Sequence, residues 1–345
     1  MKLKEYINNY QVPEQEFITI NNFLGICDYV YKPRKRFIEE VTGDEKASNM
    51  NGAEIIEEAP RENSVIMCCV ADGGILELFQ KCKKNKNNKY IVMQSTIMDA
   101  GHIDKKIVKR MPDNVVKLYS KHLGVLHERV TSIPIGRDFR NKAAYLSVKL
   151  DNNRTFNNLL YCNFAINTNK KNRLRVYNLF RYRDWVTQVE VREWLRYPIS
   201  REEYLRQVHS HKFCLSPEGT GIDCFRTWEA LYLKSVPIVQ ESIHMTAFKD
   251  LPILFTKDYS EITKKYLEEK YEEMLEKDYN IEKLHFSYWK HLIMRDKKLF
   301  LEKKPLDNIN NVTKSNIGFS SERKFTSMLK IIRLVLKQLQ SSIKS

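Results

Sequence analysis

The chain has 345 residues, 42% of them hydrophobic and 11% aromatic, and carries a net charge of +15 at pH 7. That length is more than one hydrophobic core usually serves and fits two domains of ordinary size, while the composition excludes an intrinsically disordered chain. Seven cysteines without a C-x-x-C pair argue against structural zinc and against a disulfide framework, and for a reducing compartment.

The opening residues, Met1-Lys2-Leu3-Lys4-Glu5-Tyr6, begin no signal peptide, and no apolar run reaches membrane-spanning length. The expected location is cytoplasmic, free or at the cytoplasmic membrane face. Residues 37–63 are polar and acidic and read as a loop or small excursion. Residues 65–70, V-I-M-C-C-V, form a continuous apolar run of the length of a buried parallel strand. Asp72-Gly73-Gly74 and a helical pattern through Ile75, Leu76, Leu78 and Phe79 follow. A lysine-rich loop at 81–89 leads to a strand at 90–94, and 115–119 and 130–136 read as two more. Strands alternating with helices imply a parallel sheet with right-handed crossovers.

Residues 138–157, polar and rich in Asn and Arg, read as the connection between domains. The second unit opens with a strand at 158–165. A basic helix then carries Arg173 and Arg175, and 185–191 is the next strand. Ser200-Arg201-Glu202-Glu203 matches a capping box, in which a hydroxyl and a carboxylate satisfy free amides at a helix start. Past residue 239 come a strand at 251–255, a charged helix at 261–277 and an amphipathic helix at 325–339. Core packing is the usual fate of such a helix. Its Lys330, Arg333 and Lys337 also suit an anionic bilayer surface.

Most of the functional information lies in residues 213–239, F-C-L-S-P-E-G-T-G-I-D-C-F-R-T-W-E-A-L-Y-L-K-S-V-P-I-V. They read as a strand, a glycine-containing loop, a helix starting near Asp223 and a second strand. Gly219 and Gly221 let a backbone approach a ligand closely, and a helix N-terminus leaving such a loop attracts an anion. Arg226 in the first turn can grip phosphate oxygens in a bidentate manner. Glu229, at i+3 on the same face, can accept hydrogen bonds from sugar hydroxyls. The other reading is structural: Asp223 as an N-cap, and Arg226 with Glu229 as an exposed ion pair worth roughly a few tenths of a kcal/mol.

The pattern S-P-E-G-x-G-x-D-x-x-R-x-W-E-A-L-Y-x-x-S-V-P-I-V resembles the donor-binding signature of exostosin-like glycosyltransferases. The resemblance implies an α/β protein of the GT-B fold, two Rossmann-like parallel-sheet domains facing a central cleft. Residues 1–150 would be the acceptor domain and 151–319 the donor domain, with a helix in 320–345 packing back on the first. It further implies that Arg226 contacts the phosphates and Glu229 the ribose of a nucleotide sugar. Ser216, Glu218, Gly219, Thr220, Gly221 and Asp223 would surround that donor, and Arg173 would help bind its pyrophosphate. Glu218 either meets the sugar or caps the loop. Ser235, preceded by Lys234, stands where relatives have a small, glycine-like residue. Gln94-Ser95-Thr96-Ile97-Met98-Asp99 and Ser132-Ile133-Pro134-Ile135-Gly136 extend the likeness, more weakly, back to residue 65.

The implied activity is transfer of a hexosyl or pentosyl unit from a UDP-, GDP- or dTDP-linked donor to a glycan or other hydroxyl. The nucleotide sugar is a co-substrate, and no cofactor or metal is expected. Transfer needs a base for the acceptor hydroxyl and stabilisation of the leaving diphosphate. Arg226, a helix N-terminus and Arg173 can supply the second. Asp99, Asp72 and His102 follow strand ends and are base candidates if the reaction inverts configuration, though each also reads as a loop or capping residue. His209 and His211 lack a third metal ligand and read as polar residues at a helix end. A basic nucleic-acid-binding protein is the competing class, raised by the charge and eighteen tyrosines. The basic residues form no long stripe interleaved with aromatics, so nucleic acid is not an expected partner. A lobe pair that binds sugar nucleotides without catalysis is a third option.

Overall fold

The strands arise where apolar runs are too short for helices. In the computed structural model the first lobe contains β1 (Tyr29–Tyr31), β2 (Asn49–Met50), β3 (Ala53–Ile56), β4 (Ser64–Cys68), β5 (Tyr90–Gln94), β6 (Val115–Ser120) and β7 (Val130–Ser132). They form one sheet in the order β2-β3-β1-β4-β5-β6-β7, parallel throughout except for the β2–β3 pair. Every residue of β4 and β5 is buried. Elements cover both faces, which is why these strands read as unbroken apolar runs rather than alternating ones.

The second lobe holds β8 (Asn158–Ala165), β9 (Val186–Val191), β10 (His211–Leu215), β11 (Val236–Gln240) and β12 (Leu254–Thr256). Its sheet is entirely parallel, in the order β12-β11-β10-β8-β9. Two parallel α/β sheets in succession are the expected pair of Rossmann-like lobes. The structure describes residues 1–69, 74–94, 102–148, 158–194 and 196–302, which fall within one unit, Met1–Glu302. Among them no helix is long and apolar enough to cross a membrane.

The segment 37–63 is not the expected loop. It continues the helix Lys35–Thr42 and supplies β2 and β3 at the sheet edge. Edge strands this short are only partly buried, so their apolar positions are diluted by polar ones and leave little periodicity. β7 stops at Ser132. The rest of the I-P-I-G run leads out of the sheet to Gly136, at φ 73°, where a Cβ would stand 2.1 Å from the Ile18 carbonyl oxygen. In the connection that follows, a 3-10 turn at Phe139–Asn141 leads into a helix at Lys142–Leu146; residues 149–157 lie outside the described residues.

The two ends of this unit are exchanged between lobes. The first helix, Leu3–Asn9, lies on the second lobe: Tyr6 donates its hydroxyl to the Leu231 carbonyl at 2.8 Å, and Lys2 and Lys4 pair with Glu276 at 2.8 and 2.6 Å. The helix Phe286–Phe300 returns to the first lobe. There Tyr119 donates to Asp296 at 2.6 Å, and Lys297 reaches Asp28 at 2.8 Å. The helix expected within 320–345 to pack back on the first lobe falls in residues 303–345, outside the described residues.

Lys234 explains the departure at the small-residue position. Its φ of 67° is the left-handed conformation that glycine adopts without strain. The buried ammonium donates to the Tyr6 carbonyl at 3.0 Å and to the Tyr10 carbonyl, and lies 3.6 Å from the Tyr6 ring centroid. A strained lysine is retained because it tethers the first helix to the turn before β11. Lys234→Met, which leaves those carbonyls without their cation, should cost roughly 2–3 kcal/mol. In calorimetric unfolding Lys234→Gly should lose less, because glycine relieves the left-handed strain.

Candidate functional site

The order of the second sheet reverses direction at β8, with β9 on one side and β10 to β12 on the other. In open α/β sheets a ligand crevice forms beyond the strand carboxyl ends at such a point. Here the end of β8 and the loop after β10 open onto a cleft of about 440 Å³. His122 and Ile135 of the first lobe, and Asp138 and Arg140 of the connection leaving it, line one side. Arg173, Arg201, Gly219, Gly221, Arg226 and Glu229 line the other.

Arg173 builds the loop. Its Nε donates to the Glu218 carbonyl at 2.9 Å, and its Nη1 to the Ala165 carbonyl at 2.9 Å and Thr168 Oγ1 at 2.7 Å. Its Nη2 donates to the Pro217 carbonyl at 2.9 Å and meets Cys224 Sγ at 3.5 Å. The five N–H groups of a guanidinium are thereby all engaged. Arg173 lines the cleft and braces the loop, with its N–H groups on protein atoms. A Cβ on Gly219 would stand 2.7 Å from Arg173 Nη2, and one on Gly221 would stand 2.2 Å from the His122 ring. Both glycines therefore admit protein groups at close range, and both line the cleft. Ser216 shares a hydrogen bond with Thr227 Oγ1 at 2.9 Å and fixes the start of the loop; Thr220 is its exposed tip. Glu218 is half-buried, and burial raises its carboxyl pKa while the His102 charge opposes that rise.

The helix after the loop is Phe225–Tyr232, with Cys224 at the N-cap, so neither the helix start nor the cap falls at Asp223. The Asp223 carboxylate is buried and accepts from the Cys224 amide at 2.8 Å, from Trp228 Nε1 at 2.8 Å and from the Ile135 amide at 2.8 Å. It joins the lobes through these bonds and lines the cleft. Arg226 and Glu229 do not form the exposed pair either. Glu229 is 2% exposed and accepts from Arg201 Nη2 and, at 3.3 Å, from the Tyr204 hydroxyl. The Arg226 guanidinium lies 5.7 Å from the Phe164 ring centroid, and its buried Nε and Nη1 have no hydrogen-bond acceptor among the described residues.

Residues 137–302 match the family described as the RXYLT1 C-terminal domain. That segment is just under half of the chain and contains the whole signature at 213–239 that resembles exostosin-like glycosyltransferases. In fold the structure is similar to an α1,3-fucosyltransferase at 13% identity and a TM-score of 0.45, covering 87% of this chain and 95% of that one. It is also similar to OtsA at 11% identity and a TM-score of 0.42, covering 72% and 74% of the two chains. No curated protein sequence matches.

Two residues of the cleft carried no signal in the motif. Arg201 follows the capping residue Ser200, whose hydroxyl accepts from the Glu203 amide at 3.1 Å. A cation in the first turn opposes the helix dipole, and that misplacement is the clue a sequence offers. His122 follows β6, and its Nδ1 lies 3.4 Å from the Asp223 amide that donates to it. Burial first, then the neighbouring His244, Lys121 and His102, depress its pKa well below the ordinary 6.5. The ring is neutral, and with Nδ1 accepting, Nε2 carries the proton.

Of the base candidates, Asp72 and Asp99 lie outside the described residues, and His102 is exposed and does not line the cleft. His209 and His211 are structural: His209 Nδ1 meets the Leu233 carbonyl at 2.9 Å, and the His211 ring bridges the Gln207 carbonyl and Thr187 Oγ1 at 2.6 and 2.7 Å.

Because the folded pKa of His122 lies below 6.5, the unfolded chain takes up the proton first. Its contribution to stability is complete above that pH and is lost as the pH falls below it, by up to about 1.4 kcal/mol per pH unit. The thermal midpoint should therefore drop between pH 7 and pH 5, and His122→Asn should flatten the drop. An equally steep profile in the variant would assign the acid sensitivity to another group.

Proposed function

We propose that this chain transfers a sugar from a nucleotide-diphosphate donor held by the second lobe to a hydroxyl of a glycan or other acceptor held by the first. The observation that carries this reading is the Arg226 guanidinium, whose buried Nε and Nη1 reach no acceptor among the described residues at the wall of a cleft. A buried N–H left without a partner costs about 1–3 kcal/mol, and more on a charged group. Phosphate oxygens supply the missing acceptors in charge-assisted bonds.

Glu229 suits the pentose. An ionised carboxylate has about four lone-pair sites, and Arg201 and Tyr204 occupy two of them, so hydroxyls can be accepted beside them. As the bond to the sugar breaks, negative charge grows on the diphosphate, and a guanidinium already desolvated and oriented stabilises it without reorganising. In this reading arginine side chains meet that charge and no metal is required. His122 contributes an N–H donor to the cleft. The acceptor proton goes to a first-lobe base, for which Asp72 and Asp99 stand as the proposed pair; His102, exposed and off the cleft lining, is set aside. Contact between the lobes around the bound donor limits its hydrolysis by keeping water out.

Titration calorimetry with UDP, GDP and dTDP and their sugars tests the donor site. At least one should bind, and Arg226→Ala should weaken it by about 100-fold while the thermal midpoint holds. Undiminished binding by a folded Arg226→Ala protein would remove the donor site from this cleft. Binding with no sugar delivered to any of a panel of glycans would favour the non-catalytic alternative.

A further inference from the structure

We infer that Arg201 is a second phosphate-binding residue, so that Arg226 and Arg201 each take one phosphate of a diphosphate. This rests on the donor-site reading above and adds to it a residue that the signature does not contain. Three carboxylates line the cleft, Asp138, Asp223 and Glu229. Asp138 is held by Arg140, which donates from Nε and Nη2 at 2.9 Å each. Asp223 is filled by the two amides and the indole described above. Glu229 is shared between Arg201 and Tyr204.

On the cationic side Arg140 is paired with Asp138, and Arg173 has all its N–H groups on the protein. Two guanidiniums remain, and both carry buried nitrogen without an acceptor among the described residues: Arg226 through Nε and Nη1, Arg201 through Nε. They flank the same carboxylate, since Arg201 donates to Glu229 and Arg226 lies one helical turn before it. Both also act electrostatically on the Tyr204 hydroxyl, whose ring lies 4.7 Å from the Arg201 guanidinium. With Glu229 between them, this pair of cations retains one uncompensated positive charge and three buried nitrogens in need of acceptors among the described residues. A single phosphate matches Arg226 alone. A diphosphate supplies acceptors for both.

The same geometry explains why a cation stands in the first turn of Arg201–Ser210 against the helix dipole. The Glu229 carboxylate and a bound phosphate oxygen together hold it there. Glu229 is then a hinge between ligand parts, ordering Arg201 toward phosphate through one oxygen and facing the pentose with its remaining lone pairs.

The test compares each nucleoside monophosphate with its diphosphate, UMP with UDP and GMP with GDP, by calorimetry on the full chain and on Arg201→Gln, Arg201→Lys and Arg226→Ala. Wild type should prefer the diphosphate by at least about tenfold. Arg201→Gln should lose affinity for the diphosphate at least about tenfold more than for the monophosphate, compressing the preference, whereas Arg226→Ala should weaken both. Arg201→Lys keeps a cation for Glu229 and decides the matter if Arg201→Gln unfolds: the preference should fall in it too, because an ammonium cannot make the forked contact. An unchanged preference in the folded Arg201 variants, with Arg226→Ala still weakened, overturns the role of Arg201 and leaves the donor site standing. A folded wild type that binds no nucleotide overturns both.

Discussion

The Asp223 carboxylate governs where everything else in the cleft can be. It receives the Ile135 amide from the first lobe, the Cys224 amide at the helix cap and the Trp228 indole one turn on. Those three N–H groups come from three parts of the chain, and one buried carboxylate is the acceptor they converge on. Without it each would be buried without a partner, at about 1–3 kcal/mol apiece. The register of the helix against the opposite lobe follows from this point. So does the direction in which Arg226 leaves its first turn, and so does the contact of Gly221 with the His122 ring.

The exchange of chain ends acts on the same relation from the far side. The first helix is held on the second lobe by Tyr6, Lys2 and Lys4, and Phe286–Phe300 is held on the first lobe by Asp296 and Lys297. Lys234 links this outer scaffold to the inner one, because the turn it tethers lies between the helix carrying Arg226 and β11. Movement of one lobe against the other must therefore disturb both the seam at Asp223 and the crossed ends. The parallel sheets supply the crevice, and these ties keep its two walls at one spacing.

What the sequence made legible follows from how each signal arises. β4, β5, β8 and β10 are buried almost throughout and are mostly apolar, so their places were clear. β1 is only three residues long, and β2 and β3 are short, partly buried edge strands diluted by polar positions, which hid them. The order of glycines, Arg226 and Glu229 marked the cleft, but the job of each residue depended on partners far along the chain. Glu229 is bonded by Arg201, 28 residues earlier, and Asp223 by Ile135, 88 residues earlier. No local pattern encodes either contact. The two glycines were conspicuous as glycines. That they make room for Arg173 and His122 is visible only once the loop is folded.

The choice of arginine over lysine in the cleft fits the same physics. Four cationic side chains line it, Arg140, Arg173, Arg201 and Arg226, and every one is a guanidinium. A guanidinium is more weakly hydrated than an ammonium and presents five directed N–H groups, so it can be buried while bonding several acceptors at once. Arg173 uses that capacity on backbone and side-chain atoms of its own lobe, and Arg140 on the carboxylates of Asp138 and Glu40. Lysine could do neither without leaving acceptors unmet. By contrast Lys121, buried just past the end of β6, has its pKa pulled down to about 8 by burial. It does not line the cleft. The basic excess of the chain is therefore a weak guide to its chemistry. Function follows from which cations are desolvated and still have N–H groups to give, and in this cleft those are Arg226 and Arg201.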